Sequence, residues 1–157
     1  MDNTKILRQF KHKVRVTGLV PSDIWTVWKD VNNWPQWNKG LAQCSISGEF
    51  TAGNTFSLLP KGEISSDKPF IATLMRVEEN HAFDDKAIVP WGVVNGVHKV
   101  SVIGDEIEIY HEITAEVNTD KIEFFDSVVA EKWKTTLPAA LECVIAIAQE
   151  RIANIEA

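Results

Sequence analysis

The stretch FDSVVAEKWKTTLPAALECVIAIAQERI, residues 125–152, decides the fold. Within it Phe125, Val129, Trp133, Leu137, Leu141, Val144, Ala148 and Ile152 recur at three or four residues. That spacing lays one apolar stripe along a helix, and it holds from about 119 to 155. Pro138 lacks a backbone donor and crowds the preceding turn, so it is expected to kink the helix or restart it. Glu131, Lys132 and Lys134 read as the wet face. The apolar run Cys143–Ala148 is far too short to cross a bilayer, so stable membrane insertion is not expected.

A stripe of this length needs a surface to cover, and the chain upstream supplies one. From Leu41 to Val117 it reads as short strands cut by turns rich in Gly, Pro and Asn, with boundaries near 41–48, 54–60, 69–78, 82–89, 93–103 and 106–117. Further upstream, Phe10 to Val16 alternates with period two, as a strand with one buried face does. Gly18 and Pro21 end it. Ser22 or Asp23 is placed to cap a short helix carrying Ile24, Trp25, Val27 and Trp28. Pro35, within Val31–Trp37, suits the first turn of a second short helix.

The order is strand, two short helices, six strands, long helix. It predicts a two-layer α+β domain with the long helix on the concave face of an antiparallel sheet. A flat sandwich with a separate helical tail is the competing architecture, and it leaves the stripe uncovered. The 157 residues suit one domain, 1–157, with no repeat or linker. A net charge of −6 argues against nucleic acid as a partner, since phosphate binding needs a surplus of Lys and Arg on one face. Met1 to Arg8 is polar and not a signal peptide. Cys44 and Cys143, far apart and outside any CxxC spacing, read as buried free thiols. The expected location is cytoplasmic.

The helix Pro21-Ser22-Asp23-Ile24-Trp25-Thr26-Val27-Trp28-Lys29-Asp30, followed by Trp34-Pro35-Gln36-Trp37-Asn38, resembles the START-like (SRPBCC) superfamily in its polyketide cyclase/dehydrase and lipid-transport branch. The second element is similar to that branch's W-P-x-W motif. The likeness spans nearly the whole chain in order and length, while about 20 residues carry it as motif. It implies a helix-grip fold, a curved seven-stranded antiparallel sheet around the C-terminal helix, with an elongated cavity between them. Members bind lipids, polyketides, hormones or other apolar molecules, and some catalyse reactions on them. The glycine-tryptophan element of the Hsp90-activator-like branch is absent, and no catalytic residue maps across.

One hairpin has a readable register. Gly104-Asp105 is a two-residue turn that pairs Ile103 with Glu106. Val102 then meets Ile107, Val100 meets Ile109 and His98 meets His111 on an apolar face. Ser101 with Glu108 and Lys99 with Tyr110 fill a polar one, so the faces sort without a register slip. His12 shares the inward parity of Phe10, Val14 and Val16. In the resembled fold its strand lies beside the last one, bringing His12 towards His111. His81 sits in an Asn80-His81 turn and reads as solvated.

Inward histidines admit four roles: neutral core residues satisfied by a neighbour, ligand contacts, zinc ligands, or acid–base groups. Trp25 and Trp28 read as packing for the short helix, and Trp34 and Trp37 as core closing one end. Trp91, after Pro90, and Trp133, mid-stripe, are candidates to line a cavity. Met75 is a candidate flexible wall residue. Asp84 and Asp85 are adjacent in a strand, so at most one faces inward and they form no carboxylate dyad; a solvated edge or bulge is the plainer reading. No P-loop, dinucleotide, G-x-S-x-G or H-E-x-x-H motif is present.

The expectation is therefore a binder or carrier of a small hydrophobic or amphipathic molecule. His12, His98, His111, Trp91, Trp133, Val129 and Met75 are the candidate contacts, with no cofactor and no metal. A cyclase/dehydratase-like enzyme using a cavity histidine is the alternative, and an interaction module with a filled core the third.

Overall fold

Period-two alternation becomes seven strands: β1 (Lys5–Thr17), β2 (Leu41–Ile46), β3 (Thr55–Pro60), β4 (Phe70–Glu78), β5 (Ala82–Val89), β6 (Gly92–Ile103) and β7 (Glu106–Asn118). The computed structural model describes residues 4–61 and 68–156, so the first three residues of the polar N-terminal stretch lie outside it. All pairings are antiparallel, in the order β1-β7-β6-β5-β4-β3-β2. The curled sheet and the long C-terminal helix form the helix-grip architecture. Strand β1 starts five residues before the visible alternation. Its whole length finds partners on β7, from Lys5 opposite Asn118 to Thr17 opposite Glu106.

The β6–β7 hairpin has the register read from its turn, with Ile103 opposite Glu106 and His98 opposite His111. Gly104 takes φ 63, a left-handed conformation that suits glycine. His12 stands opposite His111 from the other side, so three histidines form one row across β1, β7 and β6. The row stays intact because residues opposite one another share a face.

Helix α1 (Pro21–Trp28) buries Ile24, Trp25, Val27 and Trp28. Its N-cap is Val20 rather than Ser22 or Asp23; Asp23, one turn in, accepts the Val20 N–H at 2.8 Å. Pro21 at the first position starts the helix two residues earlier than a polar cap would. The second short helix is 3-10, Val31–Gln36, with Pro35 inside it and not in its first turn. Trp34 Nε1–H donates to the Trp28 carbonyl at 2.7 Å and locks the two helices together.

The C-terminal helix enters through a 3-10 turn (Thr119–Lys121), a helical turn (Ile122–Phe124) and a π-helical turn (Phe125–Val129), then runs as α2 (Ala130–Glu156). Arg8 of β1 holds that entry through two 3.0 Å hydrogen bonds to Asp126. The helix does not restart at Pro138: α2 runs through it as one element, and irregular winding falls about a dozen residues earlier, at the π-helical turn. No helix among the described residues is long and apolar enough to cross a membrane.

Candidate ligand-binding site

A cavity of about 160 Å³ lies between the inner face of the sheet and α2. It exists because small residues meet there: Ala87 on β5, Gly96 on β6 and Ala140 on α2 all line it. Protein interiors tolerate few voids larger than a water molecule, so a space of this size is a feature of the packing. Its walls include Trp34 and Trp37 from the 3-10 segment, Trp91 from the β5–β6 turn and Trp133 from α2. Trp91 packs on Phe125 at 5.0 Å and on Trp133 at 5.9 Å between ring centroids. Phe10 of β1 closes the far side against Trp133 at 5.6 Å.

The polar groups gather at one place. His98 and His111 line the cavity and are 4% and 5% exposed. Their rings stack at 3.9 Å, and Phe83 stacks on the other side of His98 at 4.2 Å. Among the described residues neither nitrogen of His98 has a hydrogen-bond partner, nor does His111 Nδ1. Burial drives both imidazoles down, His111 to about 3 and His98 well below its ordinary value with His111 adding to the effect. Both rings are therefore neutral at neutral pH, each with one donor and one acceptor nitrogen. Trp37 Nε1–H, in the same wall, is also unpartnered.

Asp85 completes the set. Phe83, Asp85, Ala87 and Val89 share the inward parity of β5, so Asp85 is the lone carboxylate on an apolar face, while Asp84 turns out to Arg76 at 3.0 Å. Asp85 lines the cavity opposite Gly96, where a Cβ would come within 2.7 Å of Asp85 Oδ1. Only glycine at position 96 leaves the carboxyl this space. Burial, and then the charge of Asp84, push the Asp85 carboxyl up to about 7, against the opposing pull of the Gly96 N–H. A strand is a rigid mount, so β5 and β6 hold the carboxyl and the His98 ring at fixed neighbouring positions.

Several expected contacts stand elsewhere. Met75 does not wall the cavity: it is 56% exposed, because Ala72 and Leu74 face inward and alternation puts Met75 on the outer face. Val129 is fully buried in the core beside the cavity and does not line it. His12 keeps its place opposite His111 but lies outside the lining, because β1 is the strand beyond β7 at the sheet's edge. Lys132, read as wet face, lines the cavity with Thr136. Trp34 and Trp37 are buried as expected and line it too. His81 has a half-exposed side chain at the β4–β5 turn, with Nδ1 3.3 Å from the Val100 carbonyl. Asp85 was the main omission, and the signal that finds it is parity with Phe83 and Ala87.

Among the described residues no cluster of three or more His, Cys, Asp or Glu side chains is placed to hold a metal ion. Both cysteines are free thiols; Cys44 is buried, which pushes it up to about 12 and leaves it unreactive, while Cys143 is half-buried.

No protein-family model matches the chain, and no curated protein matches it in sequence. Solved structures match it in fold. Norcoclaurine synthase from Thalictrum flavum, in complex with dopamine and hydroxybenzaldehyde, superposes with a TM-score of 0.69 at 18% identity over 94% of this chain and 89% of that one. The di-domain ARO/CYC StfQ from the steffimycin biosynthetic pathway gives 0.74 at 14% identity over 94% of this chain, which spans only 52% of that protein. Ara h 8.0201 gives 0.62 at 12% identity over 89% of this chain and 99% of that one. With the strand order and the gripped helix already in hand, these likenesses establish that the chain carries the helix-grip fold.

Proposed function

We propose that the protein binds a small hydrophobic or amphipathic molecule in the cavity between sheet and α2. The carrying observation is the coincidence of a 160 Å³ space with tryptophan walls and unpartnered polar atoms on His98, His111 and Trp37. Such pockets are mostly apolar, with a few convergent polar groups that orient the ligand. Apolar burial supplies affinity at about 25 cal/mol per Å² removed from water. A void of about 150 Å³ in another protein holds benzene, which sets the ligand's scale at one or two small rings. Dopamine and hydroxybenzaldehyde bound to norcoclaurine synthase fit the same reading. The cavity also argues against the filled-core interaction module.

Filling the space tests this. Ala140→Phe puts a ring where Ala140 now borders the cavity. The parent protein should gain melting temperature with toluene or p-cresol, by the equivalent of about 2.7 kcal/mol at a hundred times the dissociation constant. Ala140→Phe should gain none while keeping its circular dichroism spectrum. Equal gains in both proteins would refute the cavity as the site.

The cyclase/dehydratase alternative is favoured by one observation, Asp85. A histidine held near 3 stays neutral at neutral pH and is a weak base, whereas a carboxyl near 7 is matched to proton transfer there. An enzymatic role would thus run through Asp85, not through a cavity histidine.

A further inference from the structure

We propose that Asp85 and the unpartnered His98 ring form a receptor for one hydrogen-bond-donating head, so that the cavity selects small planar molecules carrying a hydroxyl over apolar ones of the same shape. The inference rests on the binding reading above and specifies what that site recognises.

The arrangement follows from the strands. Asp85 stands opposite Gly96, and His98 is the next inward residue on β6. Two residues of strand span about 7 Å. A single oxygen that donates to a carboxylate and accepts from an imidazole N–H bridges about 5–6 Å. One hydroxyl therefore suits the gap between the Asp85 carboxyl over Gly96 and the His98 ring. Among the described residues Asp85 forms no ion pair, and the Gly96 N–H is the backbone group that holds it. Unpaired polar groups in an interior each cost about 1–3 kcal/mol, so their concentration at one end of one cavity calls for a polar partner there.

The charge pattern narrows the head group. The titratable groups that line the cavity are Asp85 from β5, His98 from β6, His111 from β7 and Lys132 from α2. Outside, Arg76 holds Asp84 in an ion pair. An anionic head would meet Asp85 itself. An ammonium brings three donors to a corner with one carboxylate and neutral imidazoles, and leaves part of its hydration unreplaced. A hydroxyl brings one donor and one acceptor, which is what the corner offers in return. The ionised carboxylate is the stronger acceptor, so binding favours the deprotonated form of Asp85 and releases a proton near neutral pH.

Calorimetry on the full chain with toluene, p-cresol and benzylamine at pH 6 and pH 8 tests the assignment. At pH 8, p-cresol should bind at least tenfold more tightly than toluene, and the advantage should shrink at pH 6. Proton release should appear as a dependence of the heat on the buffer. Asp85→Ala should erase the advantage while toluene binds as before or better, which also shows that the variant folds. Asp85→Asn, which keeps a neutral acceptor, should retain part of the advantage and lose both its pH dependence and the proton release. The inference is overturned if p-cresol and toluene bind equally, if the advantage survives Asp85→Ala, or if benzylamine binds tightest. Binding of none of the three overturns the cavity reading as well, whereas equal binding of toluene and p-cresol leaves that reading standing.

Discussion

Beneath α1 the inner face of the sheet is filled, and beneath α2 it is open, although tryptophan dominates both places. Under α1, Trp25 and Trp28 interlock with Phe83 at 6.2 and 5.6 Å, and Phe50 adds a contact to Phe83 at 5.0 Å. Ile24, Val100 and Ile109 close the remaining gaps. Under α2, Trp91 and Trp133 share the lining with the small residues Ala87, Gly96 and Ala140, and a void remains among them. The Phe83–His98–His111 stack is the border; among the described residues Trp28 Nε1 is unpartnered on the filled side, while both His98 nitrogens, His111 Nδ1 and Trp37 Nε1 are unpartnered at the cavity. A cavity is thus created by which sizes face each other, and aromatic content alone does not predict it.

The largest expected effect lies on the filled side. Trp28→Ala should destabilise the fold by about 3–5 kcal/mol in urea unfolding, as truncations of fully buried aromatic residues do. A loss under 1 kcal/mol would mean that this end is as loosely packed as the other.

An intermediate effect belongs to the border. His111 is lowered to about 3 in the fold against an ordinary value of 6.5. The stability it contributes is present above 6.5 and is lost as pH falls towards 3, because the unfolded chain takes up the proton first. His111→Leu should therefore be more acid-resistant than the parent, by about 1–3 kcal/mol at pH 4 relative to the difference at pH 7.5. Asp85 contributes with opposite sign, losing stability as pH rises through about 7, so the variant-minus-parent difference is the quantity to read. Parallel curves would show that His111 is not desolvated.

Smallest of all should be Met75→Ser. On an exposed bulge it should change stability by no more than about 0.5 kcal/mol and leave p-cresol binding untouched. A measurable loss of affinity would place Met75 back at the ligand.

The strands, the hairpin register and the helix were legible because each rests on local chemistry. Gly104-Asp105 pins one turn, and parity then carries His98 to His111, whereas only the β1–β7 pairing of the fold brings His12 into the same row. Asp85 was half legible: alternation requires that only one of Asp84 and Asp85 face inward, and Phe83 and Ala87 indicate which. Met75 was misplaced although alternation with the buried Ala72 and Leu74 already turns it outward; the bulge after Leu74 adds Arg76 to the same face. Lys132 was misplaced because it adjoins Trp133 at the edge of the stripe, and with Thr136, one turn on, it lines the cavity.

By itself, the sequence determined the element order, the register of the β6–β7 hairpin and with it the pairing of His98 with His111, since these depend on neighbours a few residues apart. Only the tertiary structure decided that a space remains under α2 and that Asp85 leans across Gly96 into it. Both depend on the sizes of side chains from different elements, and chain distance carries no information about which of those will meet.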